Sequence, residues 1–233
     1  MSGSNRILLS GAIALALGLP VAASAADSAF YVGALVGSSN VDLSTADWDA
    51  TALELFTGSG GTLTSSSLDK SDTAFGAVFG YQFMPNFAVE AYYLDLGKVK
   101  ADATGTILIA ATTTPATVHG EFKTNGPALA LVGLLPFSQG WEADARAGIY
   151  YGDTKIELSG TASGAAGTAT LGPISDSQSR SSFMGGVGAG YSFNENVALR
   201  FDYLYFDSVG IKRSGIDDTA NINAFSLGVR YSF

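Results

Sequence analysis

His119 is the only histidine in the chain, and Glu121 follows two residues later, so a general base with a carboxylate partner is the first chemistry to consider. A Ser-His-acid arrangement could hydrolyse an ester, because the histidine would take the proton of a serine nucleophile. Serines are abundant, yet none stands in a recognisable motif with this histidine. We therefore expect no catalytic residues and interpret His119 as part of a polar surface.

Aspartates occur in close sets, and oxygen-rich loops of this kind can hold Ca²⁺ or bridge divalent cations to phosphates. The sets are Asp42, Asp47 and Asp49; Asp69 and Asp72; and Asp217 and Asp218. None has the ordered ligand spacing of a calcium-binding loop. The chain has no cysteine, which excludes disulfides and cysteine-ligated metals. No metal and no cofactor is expected.

Seven other charged residues lie in segments where apolar and polar side chains alternate. All seven fall on the face opposite the apolar side chains. They are Glu90, Glu142, Asp144, Arg146, Arg200, Asp202 and Arg230. Four acids and three bases on one face must pair with one another or with trapped water, because an unpaired buried charge is strongly destabilising. They could form a paired polar core or line an ion-selective pore.

The segments that carry these charges have the period-two alternation of β-strands. In the last one, residues 225–233, every odd position is apolar or aromatic and every even one is small or polar. Eight such segments occur, at about 30–37, 73–83, 87–96, 123–135, 141–158, 182–193, 197–208 and 222–233. Between them, long connections (38–72, 97–122, 159–181 and 209–221) alternate with short turns.

This rhythm predicts an all-β fold: a closed eight-stranded antiparallel up-and-down transmembrane β-barrel over residues 26–233, with four long external loops. Closure is required because an open sheet would leave unpaired edges in lipid. Eight strands enclose a space that side chains can fill, which favours the paired polar core over a pore. A soluble β-sandwich would also alternate and is the alternative fold.

Aromatic residues mark the predicted periplasmic ends of the strands. Tyr81 and Phe83 recur as Tyr191 and Phe193 in a repeated Gly-Tyr-x-Phe, and we expect these four to form a periplasmic aromatic girdle. The first and fourth segments are apolar on both faces, so their inward and outward sides stay open. The first long loop contains Trp48 and Phe56, and we expect it to fold over the barrel mouth or to contact lipid or a partner.

Residues 1–25 have the layout of a cleaved signal peptide: a basic Arg6, an apolar stretch at 7–19, and Ala23-Ser24-Ala25. No later stretch is long and apolar enough for a spanning helix. Removing residues 1–25 leaves 11 basic and 21 acidic side chains, a formal charge of −10. Such an acidic chain is a poor candidate for binding nucleic acid.

The opening Phe30-Tyr31-Val32-Gly33-Ala34, the Gly-Tyr-x-Phe strand ends and the terminal Gly228-Val229-Arg230-Tyr231-Ser232-Phe233 resemble the OmpA-like small outer-membrane barrels, which include OmpX-type and opacity-protein-like members. The resemblance implies residence in a Gram-negative outer membrane, among its lipids and lipopolysaccharide, with loops at the cell surface. It also implies that Tyr231 and Phe233 form a signal for the barrel-assembly machinery. Since the chain ends at Phe233, the peptidoglycan-binding domain of full OmpA proteins is not expected.

The expected function is therefore structural and interactive: envelope integrity, with surface contacts to a possible ligand through the external loops. The alternative is a narrow channel for ions or small apolar solutes. An enzyme that modifies lipid A is a third hypothesis, which the lone His119 does not favour.

Deleting Phe233 should impair assembly into the outer membrane, because the deletion removes the aromatic end of the last strand. The measurement is the amount of protease-resistant, surface-exposed barrel in cells that express the full chain or the deletion. Equal amounts would contradict the assembly signal.

Overall fold

The structure, a computed structural model, describes residues 29–165, 167–213 and 216–233. The predicted signal peptide, residues 1–25, lies outside the described residues. The described ranges form one helix and nine strands: β1 (Ala29–Asp42), α1 (Thr45–Gly58), β2 (Thr62–Asp69), β3 (Ser71–Met84), β4 (Phe87–Ile109), β5 (Thr112–Ser138), β6 (Trp141–Gly164), β7 (Gly167–Ser192), β8 (Val197–Arg213) and β9 (Ile216–Ser232). No helix in these ranges is long and apolar enough to cross a membrane.

Eight of the strands form a closed antiparallel ring, in which β1 joins β3 on one side and β9 on the other. From β3 to β9, each strand pairs with the next in the chain. The additional strand β2 pairs with the outer part of β4, from Thr62 opposite Thr106 to Asp69 opposite Lys100. Closure gives the spanning backbone hydrogen-bond partners that hydrocarbon cannot supply. The expected eight-stranded barrel is confirmed.

The outer wall is apolar because alternate side chains point away from the interior. Phe201 and Phe225 are 50% and 64% exposed, as expected for a lipid-facing surface. The structure also settles the two strands whose facing was open. On β1, Tyr31 points inward and Phe30 outward, and on β5 the alanines at 128 and 130 point inward while Leu129 points outward.

The four predicted girdle residues lie beside the short turns at one end of the barrel. Tyr81 and Phe83 end β3, and Tyr191 lies 5.0 Å from Trp141 between ring centroids. At the chain end, the rings of Tyr231 and Phe233 are 5.3 Å apart. Aromatic side chains of this kind are typical of a membrane–water interface.

The strands continue well beyond the predicted ends, into the segments 97–122, 159–181 and 209–221 that the sequence assigned to long external connections. β4 and β5 stay paired out to Ile109 opposite Thr112, where Ala110 and Ala111 make a two-residue turn with φ of 48° and 63°. β6 and β7 stay paired to Gly164 opposite Gly167. The alternation of apolar side chains stops where the outward face leaves lipid. The strands nevertheless continue, because the threonines there also favour β-strands.

The remaining external connection, between β1 and β2, contains α1. Ser44 caps the helix, with its hydroxyl oxygen accepting the N–H of Asp47 at 3.2 Å. The helix buries Ala52 and Phe56 against Ala103 of β4 and two other alanines of the sheet. It therefore lies over the inward face of the extended strands.

The interior has two chemically different layers. Toward the external side, an apolar layer of buried side chains crosses the barrel, including Leu35, Leu94, Tyr150, Met184, Phe206 and Ile222. Toward the short turns, the interior is charged and contains a small apolar cluster with Tyr31 and Val132. The sequence placed the charges inside but did not predict the apolar layer above them.

Phe206→Ala should lower the free energy of unfolding by about 3 kcal/mol, because the side chain is fully buried and its loss leaves a cavity in the apolar layer. Phe201→Ala, on the same strand but facing lipid, is the matched control and should cost less, since lipid chains can occupy the space. Urea unfolding of both variants in the same lipid vesicles measures the difference. Equal losses would show that the apolar layer does not stabilise the barrel.

Candidate functional site

The strongest concentration of chemistry lies in the charged layer of the barrel interior. We call Glu90, Asp144, Arg146, Arg200 and Asp202 the charged cage. Glu90 lies on β4, Asp144 and Arg146 on β6, and Arg200 and Asp202 on β8. All five are buried. The strand alternation thus brings Glu90 and Arg200, which are 110 positions apart, into one cluster.

Strand β7 separates the charges of β6 from those of β8 with glycines. In the register, Gly188 lies between Asp144 and Asp202, and Gly190 lies beside Arg200. A Cβ at position 188 would lie 2.6 Å from Asp144 Oδ2 and 2.7 Å from Asp202 Oδ1. The glycine therefore provides the room in which the carboxylates reach a shared arginine.

Glu90 collects hydrogen-bond donors from two other strands and from its own, and an ion-pair partner from a third strand. Its Oε1 accepts hydrogen bonds from Tyr31 Oη at 2.8 Å and from Arg200 Nη1 at 2.7 Å. Its Oε2 accepts one from Tyr92 Oη and lies 3.8 Å from Arg146 Nη1. Charge-assisted bonds of this kind are stronger than neutral ones, so they fix the carboxylate in place.

Arg146 is the cation at the centre of the cage, and its side chain is 0% exposed. Its Nε donates to Asp144 Oδ1 at 3.1 Å, and its Nη2 donates to Asp202 Oδ1 at 2.6 Å. Its Nη1 donates to Tyr92 Oη at 3.0 Å. The fork of the guanidinium thus reaches three strands at once, which a lysine could not do in the same way.

The remaining two predicted charges form a pair nearer the short turns. Arg230 Nη1 lies 2.6 Å from Glu142 Oε1. The guanidinium carbon also lies 5.3 Å from the ring centroid of Tyr31, within cation-π range. Tyr31 therefore connects this pair to Glu90 of the cage, so all seven charged residues lie in one connected group.

Each base of the group contacts at least one carboxylate, and four acids face three bases. Asp202 Oδ2 and Arg200 Nε are buried without a protein partner among the described residues, which suits ordered water. No serine, histidine or cysteine is hydrogen-bonded to the charged cage in the part of the chain that the structure describes. The arrangement holds charge in place.

Sequence reasoning missed Tyr31, because the facing of β1 was open. The sequence offered one clue, which is that adjacent residues of a strand face opposite sides. Tyr31 can therefore reach Glu90 only if Phe30 faces lipid. Tertiary pairing of β1 with β3 and β9 settles this choice.

His119 lies far from the cage, on the outward face of the extended β5. Its Nδ1 pairs with Asp102 of β4, whereas Glu121 accepts a hydrogen bond from Lys98 Nζ at 3.0 Å. That hydrogen bond raises the pKa of the Lys98 ammonium above its ordinary value. Ser159 is opposite His119 in the ladder, but no hydrogen bond joins these two described side chains.

The described members of the aspartate sets do not converge on a common point. Asp72 accepts the N–H groups of Thr73 and Lys98 at 2.8 Å and 3.0 Å, and Asp49 accepts the hydroxyl of Ser66 at 2.5 Å. Among the described residues, no three acidic or histidine side chains are grouped as a metal site requires. The side chains of residues 217 and 218 lie outside this description.

The family model for the OmpA-like transmembrane domain matches residues 25–233. A comparison with curated proteins gave no match. Similar solved structures include Ail of Yersinia pestis in complex with the heparin analogue sucrose octasulfate (16% identity, 88% of this chain and 97% of that chain, TM-score 0.45). Another is OprG from Pseudomonas aeruginosa (14% identity, 89% of this chain and 96% of that chain, TM-score 0.44). A third is the outer membrane protease OmpT from Escherichia coli (10% identity, 88% of this chain and 96% of that chain, TM-score 0.38). At these identities the likeness concerns the fold alone.

Arg200→Ala should lower the free energy of unfolding by about 3 kcal/mol, because it leaves Glu90 and Asp202 without their shared cation in a buried site. Lys155→Ala is the control: it breaks an exposed pair with Glu157 and should cost less than about 1 kcal/mol. Urea unfolding in identical vesicles gives both values.

A double variant tests whether the charges act together. Adding Glu90→Gln to Arg200→Ala should cost less than the sum of the single changes, because the carboxylate stranded by the first change is then neutral. Additive losses, or equal midpoints for Arg200→Ala and Lys155→Ala, would refute a coupled group.

Proposed function

The chain belongs to the family of OmpA-like transmembrane domains, and we propose that it serves the bacterial outer membrane as a sealed structural barrel whose external part makes surface contacts. In that membrane, the apolar outer wall lies in lipid and the extended strands project from the cell surface. A closed barrel of this kind adds to the envelope without opening a path for solutes.

The observation that carries this proposal is the filled interior. The charged cage occupies one level of the barrel, and the apolar layer with Met184 and Phe206 occupies the next. Both side chains are fully buried, and a ring of eight strands is narrow enough to be filled in this way. An apolar layer also opposes the passage of hydrated ions.

Inward glycines raise the competing possibility of a narrow channel, since each lacks a side chain. Their space is occupied by neighbours. A Cβ at Gly80 would lie 2.1 Å from the ring of Tyr31, and one at Gly228 would lie 2.4 Å from Leu35 Cδ2. These glycines accommodate large side chains from adjacent strands, which supports the sealed barrel over the channel.

Proposed partners follow from the outward surfaces. The lipid-facing wall contacts outer-membrane lipid and lipopolysaccharide, and the barrel-assembly machinery recognises Tyr231 and Phe233 during insertion. A surface ligand would bind the external extension. Nucleic acid is not among the proposed partners, since the chain is acidic, with a formal net charge of −9.

The proposal includes no enzymatic activity. A lipid A hydrolase would need a serine hydrogen-bonded to a histidine, and His119 instead engages Asp102. Its exposed position, with 62% of the side chain in solvent, is that of a surface ion pair.

Planar-bilayer recordings of the purified barrel test the sealed state. Wild type should show no steady conductance. The double variant Met184→Ala/Phe206→Ala removes bulk from the apolar layer but leaves the charged cage in place, so it should also stay closed. A known open porin in the same bilayer is the positive control. The channel hypothesis predicts steady, cation-preferring steps in wild type that change with Glu90→Gln or Asp144→Asn. Such steps would overturn the proposal.

A further inference from the structure

The extended strands form a second apolar surface, separate from the lipid-facing wall. On their inward face, Val118 of β5, Leu158 of β6 and Leu171 of β7 follow one another across the sheet. The register places Ile174 opposite Leu158, on the same face. The outward face of the same strands is instead rich in hydroxyls, with Thr117 and Thr161 hydrogen-bonded at 3.0 Å.

Helix α1 covers only part of this inward face. Phe56 is almost fully buried against the sheet, while Leu55 beside it is 44% exposed. Between the end of α1 and strands β5 to β7 lies a groove of about 320 Å³. Its walls include Leu55, Phe56, Ile107, Val118, Leu158 and Leu171, and no charged side chain lines it.

Water is an unfavourable occupant of this groove. Leu55 and Leu171, which line the groove, are 44% and 45% exposed, although they lie beyond the lipid-facing wall. Exposed apolar side chains that cluster outside the membrane mark a binding surface. Membrane lipid cannot cover these side chains, because they lie on the inward face of the extended strands and not on the lipid-facing wall.

We propose that this groove binds a small, uncharged, apolar molecule. Its volume is at the lower end of small-molecule sites, which span roughly 300 to 1,000 Å³. A protein partner would need roughly 800 Å² on each side, far more than the two half-exposed leucines of the groove offer. The lack of lining charge excludes an ion as the preferred ligand, because burying its charge without a partner is costly.

The site is independent of the barrel lumen. The groove lies beside α1, above the apolar layer that contains Phe206, so occupancy does not require transport through the membrane. Binding and conductance are therefore separate measurements, and a barrel that shows no conductance can still bind ligand.

The experiment uses the full barrel in lipid nanodiscs with ¹³C-labelled leucine and valine methyl groups. Toluene is titrated as the probe, and benzoate, which has the same ring but a charge, is titrated as its control. Toluene should give saturable shifts at Val118, Leu158 and Leu171, whereas the lipid-facing Leu129 and Leu131 should shift in proportion to toluene concentration through partition into lipid. Benzoate should leave the groove methyls unchanged.

Two matched variants locate the site. Leu171→Glu places a charge in the groove and should weaken toluene binding at least tenfold, whereas Leu108→Glu, at a similarly exposed position outside the groove, should leave it unchanged. Leu55→Asn on the helix side gives a second test should the first variant fold poorly. Groove shifts that never saturate, equal shifts with benzoate, or equal binding in wild type and both groove variants would overturn the proposal.

Discussion

The hydrogen-bond requirement of a backbone in hydrocarbon is the constraint on which the rest of this structure depends. Because lipid offers no partners, the spanning strands must close on themselves, and β1 does so by pairing with both β3 and β9. Closure with eight strands then sets the width of the interior. Side chains that point inward have no alternative to packing against one another, whether they are charged or apolar.

That narrow interior explains why the charges form a connected group. Arg146 and Arg200 reach carboxylates on neighbouring and distant strands because Gly188 and its neighbours on β7 leave room for them. Buried ion pairs are weak evidence for stability, but they can specify register. A one-residue slip of β8 would turn Arg200 and Asp202 toward lipid and strand Glu90, so the cage favours a single alignment of the sheet.

Beyond the membrane the same strands continue, but their outward face meets water instead of lipid. The outward face changes from aromatic side chains to threonines and ion pairs such as Lys98 with Glu121, while the inward face stays apolar. Since no lipid or barrel wall covers that inward face, α1 packs on it through Phe56. The helix and the extended sheet together make a small external subdomain above the apolar layer of the barrel.

The sequence by itself determined the fold, because period-two alternation and turn spacing are local properties that a closed barrel imposes on every strand. It also determined which seven charges point inward, since each stands opposite aromatic side chains on its own strand. Only the tertiary structure decided the facing of β1 and β5, which are apolar on both sides, and hence the contact of Tyr31 with Glu90. Pairings such as Arg200 with Glu90 span the chain, so no local pattern specifies them. The extended hairpins escaped prediction because their polar threonines carry no apolar signal, and hydrogen bonding to neighbouring strands is what holds them in place.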